Sequence, residues 1–272
     1  MGVVNVTPDS FHDGGRYDAP ERAAAHVERL LGEGAAIVDI GGESSRPGAP
    51  RVPAAEQIDR IRATVAHAAR LGALVSVDTT SPEVARVALD LGARVVNDVS
   101  CLSEPALARE VARFPGAVLL LGHARGTMDR MSGFSSWPDA DYDDVVARVA
   151  DEWARARDAA IEAGVPRGQV WLDPGLGFSK NARQSLELLA RLDELATLGP
   201  VLAIGPSRKS FLAAEDGSAP AARLGGTIAA CLAAVDRGAS LLRVHDVHDV
   251  RQALLLRRRL GATRRHEEAA HA

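Results

Sequence analysis

The sequence predicts a single closed (β/α)8 TIM barrel of the α/β class, and three observations carry that expectation. Short runs rich in Val, Ile, Leu and Ala alternate with longer helical patterns, the sequence form of βαβ units on a parallel sheet. Eight such runs occur, and eight parallel strands close naturally into a barrel. The 272 residues suit the roughly 250 that such a barrel occupies as one domain.

Each element has its own signal. Strands are expected at residues 3–6, 36–40, 74–77, 94–97, 117–121, 170–172, 201–204 and 240–244, the apolar runs bounded by turn residues. Helices are expected between them at 20–31, 54–71, 82–91, 104–114, 142–163, 182–196, 221–236 and 247–260. Ser81-Pro82 reads as an N-cap followed by proline in the first helical position. Gly32, Gly72, Gly92, Gly164 and Gly238 follow helical patterns as C-terminal caps do. Residues 125–141 form a long loop after the fifth strand. Residues 261–272 are polar and alanine-rich and are expected to be a disordered tail, so the barrel domain spans 1–260.

Composition excludes several classes. A net charge of -4 gives no general attraction to nucleic acid or an anionic membrane. Two cysteines, Cys101 and Cys231, make neither a disulfide scaffold nor a metal knuckle. No signal peptide and no apolar run of membrane length is found, and the expected location is cytoplasmic. Of the 32 basic residues only Lys180 and Lys209 are lysines. A lysine kept where arginine serves elsewhere points to a place that needs a compact ammonium.

Polar residues gather at the C-terminal ends of the expected strands, the catalytic face of such a barrel. They are Asn5 with the following turn to Phe11, the stretch 41–47, Asp78, Asn97 and Asp98, His123, Asp173, the stretch 207–210, and Arg243 with His245. The blocks that hold them read NVTPDSFHDGG, DIGGESSRPG, SVDT, VNDVS, LDPGLGFSK, PSRKS and RVHDV. As an ordered set these resemble the dihydropteroate synthase family, from Met1 to about Leu260. The resemblance implies the barrel, a homodimer, Mg2+, and condensation of a 7,8-dihydropterin methyl diphosphate with 4-aminobenzoate.

The residue types suit that chemistry. A pterin presents an amidine-like donor edge that a buried carboxylate can accept, while amides and a lysine match its other groups. Asp173, Asp78, Asn97 and Lys209 supply this set, and the matching family positions hold the pterin. Arg243 and His245, two residues apart on the last strand, would share a face as donors to the leaving pyrophosphate, joined by Arg46. Asn5 offers a neutral oxygen to a Mg2+ that otherwise keeps water and diphosphate oxygens. The carboxylate of 4-aminobenzoate is expected at Ser210, at the start of a helix near Phe211; Ser45, in the loop after the second strand, is a further substrate-binding candidate. Phe178, Pro47 and Phe11 are apolar candidates for its ring. The arylamine is itself the nucleophile, so no catalytic triad is needed.

Two other patterns carry less. GLGFSK and PSRKS lack P-loop spacing, and His245 with His248 lacks the partners of a zinc site. Lys180 is expected to fix the loop after Asp173 rather than reach the ligand. Gly122 and Ala124 flank His123 where the family often has methionine, which thins the expected pterin pocket. Two rival readings are a pterin-dependent methyltransferase, which would have no use for Arg243, His245 and the PSRKS anion site, and a non-catalytic pterin-binding paralogue.

Overall fold

A computed structural model describes residues 1–7, 19–44, 50–126 and 137–270. Eight strands and eight α-helices alternate along it. The strands are β1 (Gly2–Asn5), β2 (Ile37–Gly41), β3 (Leu74–Asp78), β4 (Val95–Asp98), β5 (Val118–Gly122), β6 (Val170–Asp173), β7 (Ala203–Ile204) and β8 (Leu241–Leu242). The helices are α1 (Ala19–Gly32), α2 (Ala54–Arg70), α3 (Pro82–Asp90), α4 (Ala106–Ala112), α5 (Val145–Glu162), α6 (Ala182–Ala190), α7 (Leu224–Asp236) and α8 (Val247–Ala270).

Strands β1 to β6 form one parallel sheet in sequence order, and β7 pairs with β8. Single parallel bridges, Leu172 with Leu202 and Gly2 with Val244, join the two pieces. Val3 N donates to Val244 O at 3.1 Å and Val244 N to Met1 O at 3.0 Å, which closes the barrel.

The alternation of side chains along each strand sorts the residues into two layers. Outward residues such as Val38, Ile40, Val75, Val77, Val96, Leu119 and Leu121 join the helices in the main core, with Trp153 of α5 fully buried. Inward residues Ile37, Val95, Leu120 and Ala203 pack with Met1 as a separate apolar plug. Two residues further along the same strands, the inward positions turn polar: Asp39, Asn97 and, above Leu241, Arg243. The plug is therefore the floor under a polar mouth.

Local chemistry sets the ends. Ser81 Oγ accepts Val84 N at 3.4 Å and caps α3 as expected. Asn181 and Gln184 form a reciprocal capping box on α6. Some ends differ from expectation. Helix α5 starts at Val145, not 142, because Asp144 Oδ1 accepts Val146 N and Ala147 N at 2.9 and 3.0 Å. Gly32 stays helical and Gly34, at φ +94°, takes the left-handed position instead. Helix α4 is trimmed at both ends, with Pro105 before it. Helix α6 yields after Ala190 to a 3-10 turn at Leu192–Leu195. Helix α8 continues ten residues past the expected end at Leu260, so the backbone of the expected tail is helical as far as Ala270.

Behind the pocket a buried chain of polar groups ties β5 to the loop after β6. Lys180 is wholly buried, and its Nζ donates to His123 Nδ1 (2.9 Å), Phe178 O (2.9 Å), and the carbonyls of His123 and Gly175 (both 3.2 Å). Because His123 Nδ1 accepts, its Nε2 carries the proton and donates to Glu152 at 2.9 Å. Arg125 holds the other side of Glu152. Gly175 sits so close beneath, at φ +69°, that a Cβ there would lie 2.0 Å from His123 O. The structural role expected for Lys180 is the one these contacts describe.

Burial lowers the His123 pKa to about 4, with the Lys180 charge adding to it. The folded state thus refuses a proton that the unfolded chain accepts between that value and the ordinary 6.5, so this residue's contribution to stability is lost as pH falls through the window. Burial raises the Asp78 pKa to about 7, which acts in the opposite direction but equally in any His123 variant. Urea unfolding at pH 6.5 and 4.5 is therefore expected to show wild type losing about 2 kcal/mol more than His123→Gln over that interval. Parallel losses in the two proteins would remove His123 from this role.

Candidate active site

Asn97, Asp173, Phe178, Gly205, Lys209 and Arg243, with Gly122, line one pocket at the C-terminal mouth of the barrel. Register places them together: Asn97 is the Cα partner of Asp78 and Leu120, and Asp173 of Gly122. A Cβ built on Gly205 would lie 3.8 Å from Asp173 Oδ2, 3.8 Å from Arg243 Cβ and 3.9 Å from Lys209 Nζ. Three charged residues thus converge where this glycine leaves space.

Asp173 ends β6 and turns into the loop through Oδ1, which accepts Gly175 N at 2.7 Å. Burial raises its pKa, against the opposing charge of Lys209. Lys209 Nζ donates to Leu176 O at 2.5 Å and lies 4.2 Å from the centroid of the Phe178 ring. Burial lowers its pKa to about 8 while Asp173 pulls it back, so it remains an ammonium at neutral pH. Phe178 is thus both packed, against Ala124 and Trp137, and part of the ligand wall.

The geometry around Arg243 differs from the expected strand-face pairing with His245. Backbone pairing continues past Leu242 through Val244, but the chain bends at His245, and the two side chains meet different partners. The guanidinium turns inward: Nε donates to Asp39 Oδ2 at 2.6 Å and Nη2 to Asp78 Oδ2 at 2.7 Å. Burial disfavours its charge, but the carboxylates of Asp39 and Asp78 outweigh that and hold its pKa above the usual value. Asn97 Nδ2 also donates to Asp39 Oδ2, at 3.1 Å. His245 instead meets Ser207: its backbone N donates to Ser207 Oγ at 3.1 Å, and Oγ lies 2.9 Å from Nδ1.

The loop that carries Lys209 is held in an unusual backbone. Arg208 adopts φ 58°, in the left-handed region that non-glycine residues avoid. Its guanidinium pairs with both oxygens of Asp246 (2.9 and 2.5 Å), its N donates to Thr227 Oγ1 (3.0 Å), and its carbonyl accepts from Arg223 (3.0 Å). The α-helix expected near Phe211 is a 3-10 turn, Ser210–Ala213, and Phe211 is buried in the core. Four residues give little of the dipole that an anion site at Ser210 would draw on.

Other expected residues fall as follows. Asn5 closes β1 at the mouth, half-buried, opposite Gly41. Asp98 points away from the pocket and holds the next loop, accepting Ser100 N and Leu102 N at 2.9 and 2.6 Å. Phe11, Ser45, Arg46 and Pro47 lie outside the described residues. Sequence reasoning missed Asp39 and Gly205. The signal for Asp39 was a carboxylate inside an apolar strand, two residues before the inward-facing Gly41; a glycine like Gly205 gives no such signal.

The fold and the site define a barrel enzyme with a buried, charge-lined pocket, and residues 1–245 match the family model described as pterin binding enzyme. The chain is 39% identical over 255 residues to the dihydropteroate synthase of Escherichia coli K12, covering 93% of this chain and 88% of that protein. It is 42% identical over 247 residues to a probable bifunctional folylpolyglutamate synthase/dihydropteroate synthase of Haloferax volcanii, of which it spans 29%. The Xanthomonas albilineans dihydropteroate synthase, solved with 4-aminobenzoic acid, superposes with a TM-score of 0.88 at 41% identity, covering 96% of this chain and 92% of that one. The chain belongs to the dihydropteroate synthase family, a family of transferases.

The seat of Lys209 fits a compact ammonium between a carbonyl and a ring face. A planar, wider guanidinium cannot take both contacts. Lys209→Arg is expected to lose at least about tenfold in kcat/KM, close to the loss in Lys209→Ala, which steady-state assays of the two variants check. An arginine variant with wild-type turnover would reject the size argument.

Proposed function

We propose that this chain joins (7,8-dihydropterin-6-yl)methyl diphosphate to 4-aminobenzoate, giving 7,8-dihydropteroate and pyrophosphate in folate biosynthesis. The observation that carries the reading is the convergence of Asp173, Lys209, Asn97 and Arg243 on one buried pocket, in a chain of this family. Asp173 Oδ2 faces the pocket as an acceptor for a planar donor edge, while Lys209 supplies the opposing donor.

The methylene carbon–oxygen bond breaks and its electron pair leaves with pyrophosphate. The arylamine nitrogen forms the new carbon–nitrogen bond and gives up a proton. Help comes from donors that meet the charge growing on the leaving oxygens. His245 is the donor we assign to this, since Arg243 is already committed to two carboxylates. A diphosphate that carries Mg2+ needs few protein ligands, and the amide oxygen of Asn5 at the end of β1 suits such an ion. Bound there, Mg2+ would neutralise the departing diphosphate. We assign the second substrate to the rim near Ser210 and Phe178, with Phe11, Ser45, Arg46 and Pro47 as further candidates from the sequence.

The homodimer is also a proposal, supported by a surface feature. Leu255, Leu256 and Leu260 of α8 are 46%, 62% and 61% exposed, an apolar patch of the kind that interfaces cover. Light scattering is expected to give a dimer mass, and Leu256→Glu to shift it toward monomer; a monomeric wild type would end the proposal. No described helix is long and apolar enough to cross a membrane.

Pyrophosphate release on mixing the protein with both substrates and Mg2+ tests the reaction itself, and its absence with a folded protein would overturn the reading. Asp173→Asn replaces an acceptor by a donor facing a donor edge, which leaves buried groups unpaired at about 1–3 kcal/mol. Calorimetry should show pterin affinity at least tenfold weaker (about 1.4 kcal/mol). His245→Ala should keep pterin affinity and slow pyrophosphate release; a variant that instead loses pterin binding would move His245 out of the leaving-group site.

A further inference from the structure

Asp39 stands in the middle of β2, where every residue is buried, and none of its side chain reaches solvent. A carboxylate in such a place is costly unless donors compensate it. Arg243 Nε and Asn97 Nδ2 do so, and both converge on Oδ2, at 2.6 and 3.1 Å. The other oxygen, Oδ1, is buried with no hydrogen-bond partner among the described residues. If neutralising Arg243 were the purpose, Asp39 would largely repeat Asp78, which holds the same guanidinium at 2.7 Å. What Asp39 has alone is Asn97.

A side-chain amide can face a ligand with either its oxygen or its nitrogen, and its surroundings decide which. Oδ2 of Asp39 already takes an N–H from Arg243 and is an acceptor, so Asn97 must turn its nitrogen toward β2. Its oxygen then faces the pocket that Asn97 lines. We propose that Asp39 is a positioning residue that fixes the polarity of the pocket: it holds Asn97 as an acceptor toward the ligand. This rests on the reading of the pocket as a pterin site. Asn97 then joins Asp173 as a second acceptor, while Lys209 is the donor. A reduced pterin, which bears an amino group and ring N–H groups, matches this division. A ligand presenting an acceptor to Asn97 is refused, because two oxygens would be buried face to face.

The test is a double-mutant cycle read by titration with 6-hydroxymethyl-7,8-dihydropterin. Asp39→Leu removes the acceptor at similar volume and is expected to weaken pterin binding at least tenfold, raising KM for the pterin substrate but not for 4-aminobenzoate. Asp39→Asn keeps an oxygen that can accept from Asn97 and should recover most of that loss. In an Asn97→Leu background, Asp39→Leu should cost less than threefold more. An Asp39→Asn variant as weak as Asp39→Leu, or full additivity with Asn97→Leu, would overturn the proposal. If Asp39→Leu does not fold, the wild-type protein still decides: the Nδ2 protons of Asn97 should be protected from exchange before any ligand is added, and rapid exchange would overturn it. A wild type that binds no pterin would instead undo the reading of the pocket.

Discussion

Charge neutralisation inside the barrel mouth is the constraint on which the rest depends. Asp39, Asp78, Asp173, Lys209 and Arg243 all sit where water is largely excluded, and an isolated charge there would cost several kcal/mol. Each is therefore matched: Arg243 between two carboxylates, Lys209 near Asp173 and against a ring face and a carbonyl. The matching also limits function. A residue satisfied within the protein is held in orientation before any ligand arrives, so recognition is read from groups already in place.

Much of this arrangement was legible in the sequence because a barrel advertises its active face. Asn97, Asp173 and Lys209 follow or end apolar runs, and the strand-end rule finds them directly. Asp39 was hidden by the same rule, since it lies inside a run and only the period of two reveals that it shares a face with Gly41. Arg243 and His245 exposed a limit of that periodicity. Two residues share a side only while the chain stays extended, and the pairing that carries Arg243 and Val244 gives way to a bend at His245. The helix expected near Phe211 failed for a related reason: Phe211 is drawn into the core, and the chain makes a single tight turn there.

The two lysines separate structure from recognition. Lys180 is wholly buried and Lys209 half-buried, and desolvation lowers the pKa of each, to about 7 for Lys180 and about 8 for Lys209. Lys180 spends its donors on three carbonyls and the ring of His123, which leaves it nothing to offer a ligand. Lys209 donates to one carbonyl and faces the pocket. Composition marked both as sites for a compact cation; only the count of acceptors around each tells them apart.

The barrel is built from a six-stranded arc and a two-stranded piece, and each joint between them is a single bridge. The pocket spans the joint between β6 and β7, with Asp173 on the arc and Lys209 and Arg243 on the side of the short piece. A ligand seated there acts as a rivet across that seam. Its binding energy is added where the ladder of backbone bonds is thinnest, so occupancy and closure of the barrel reinforce each other.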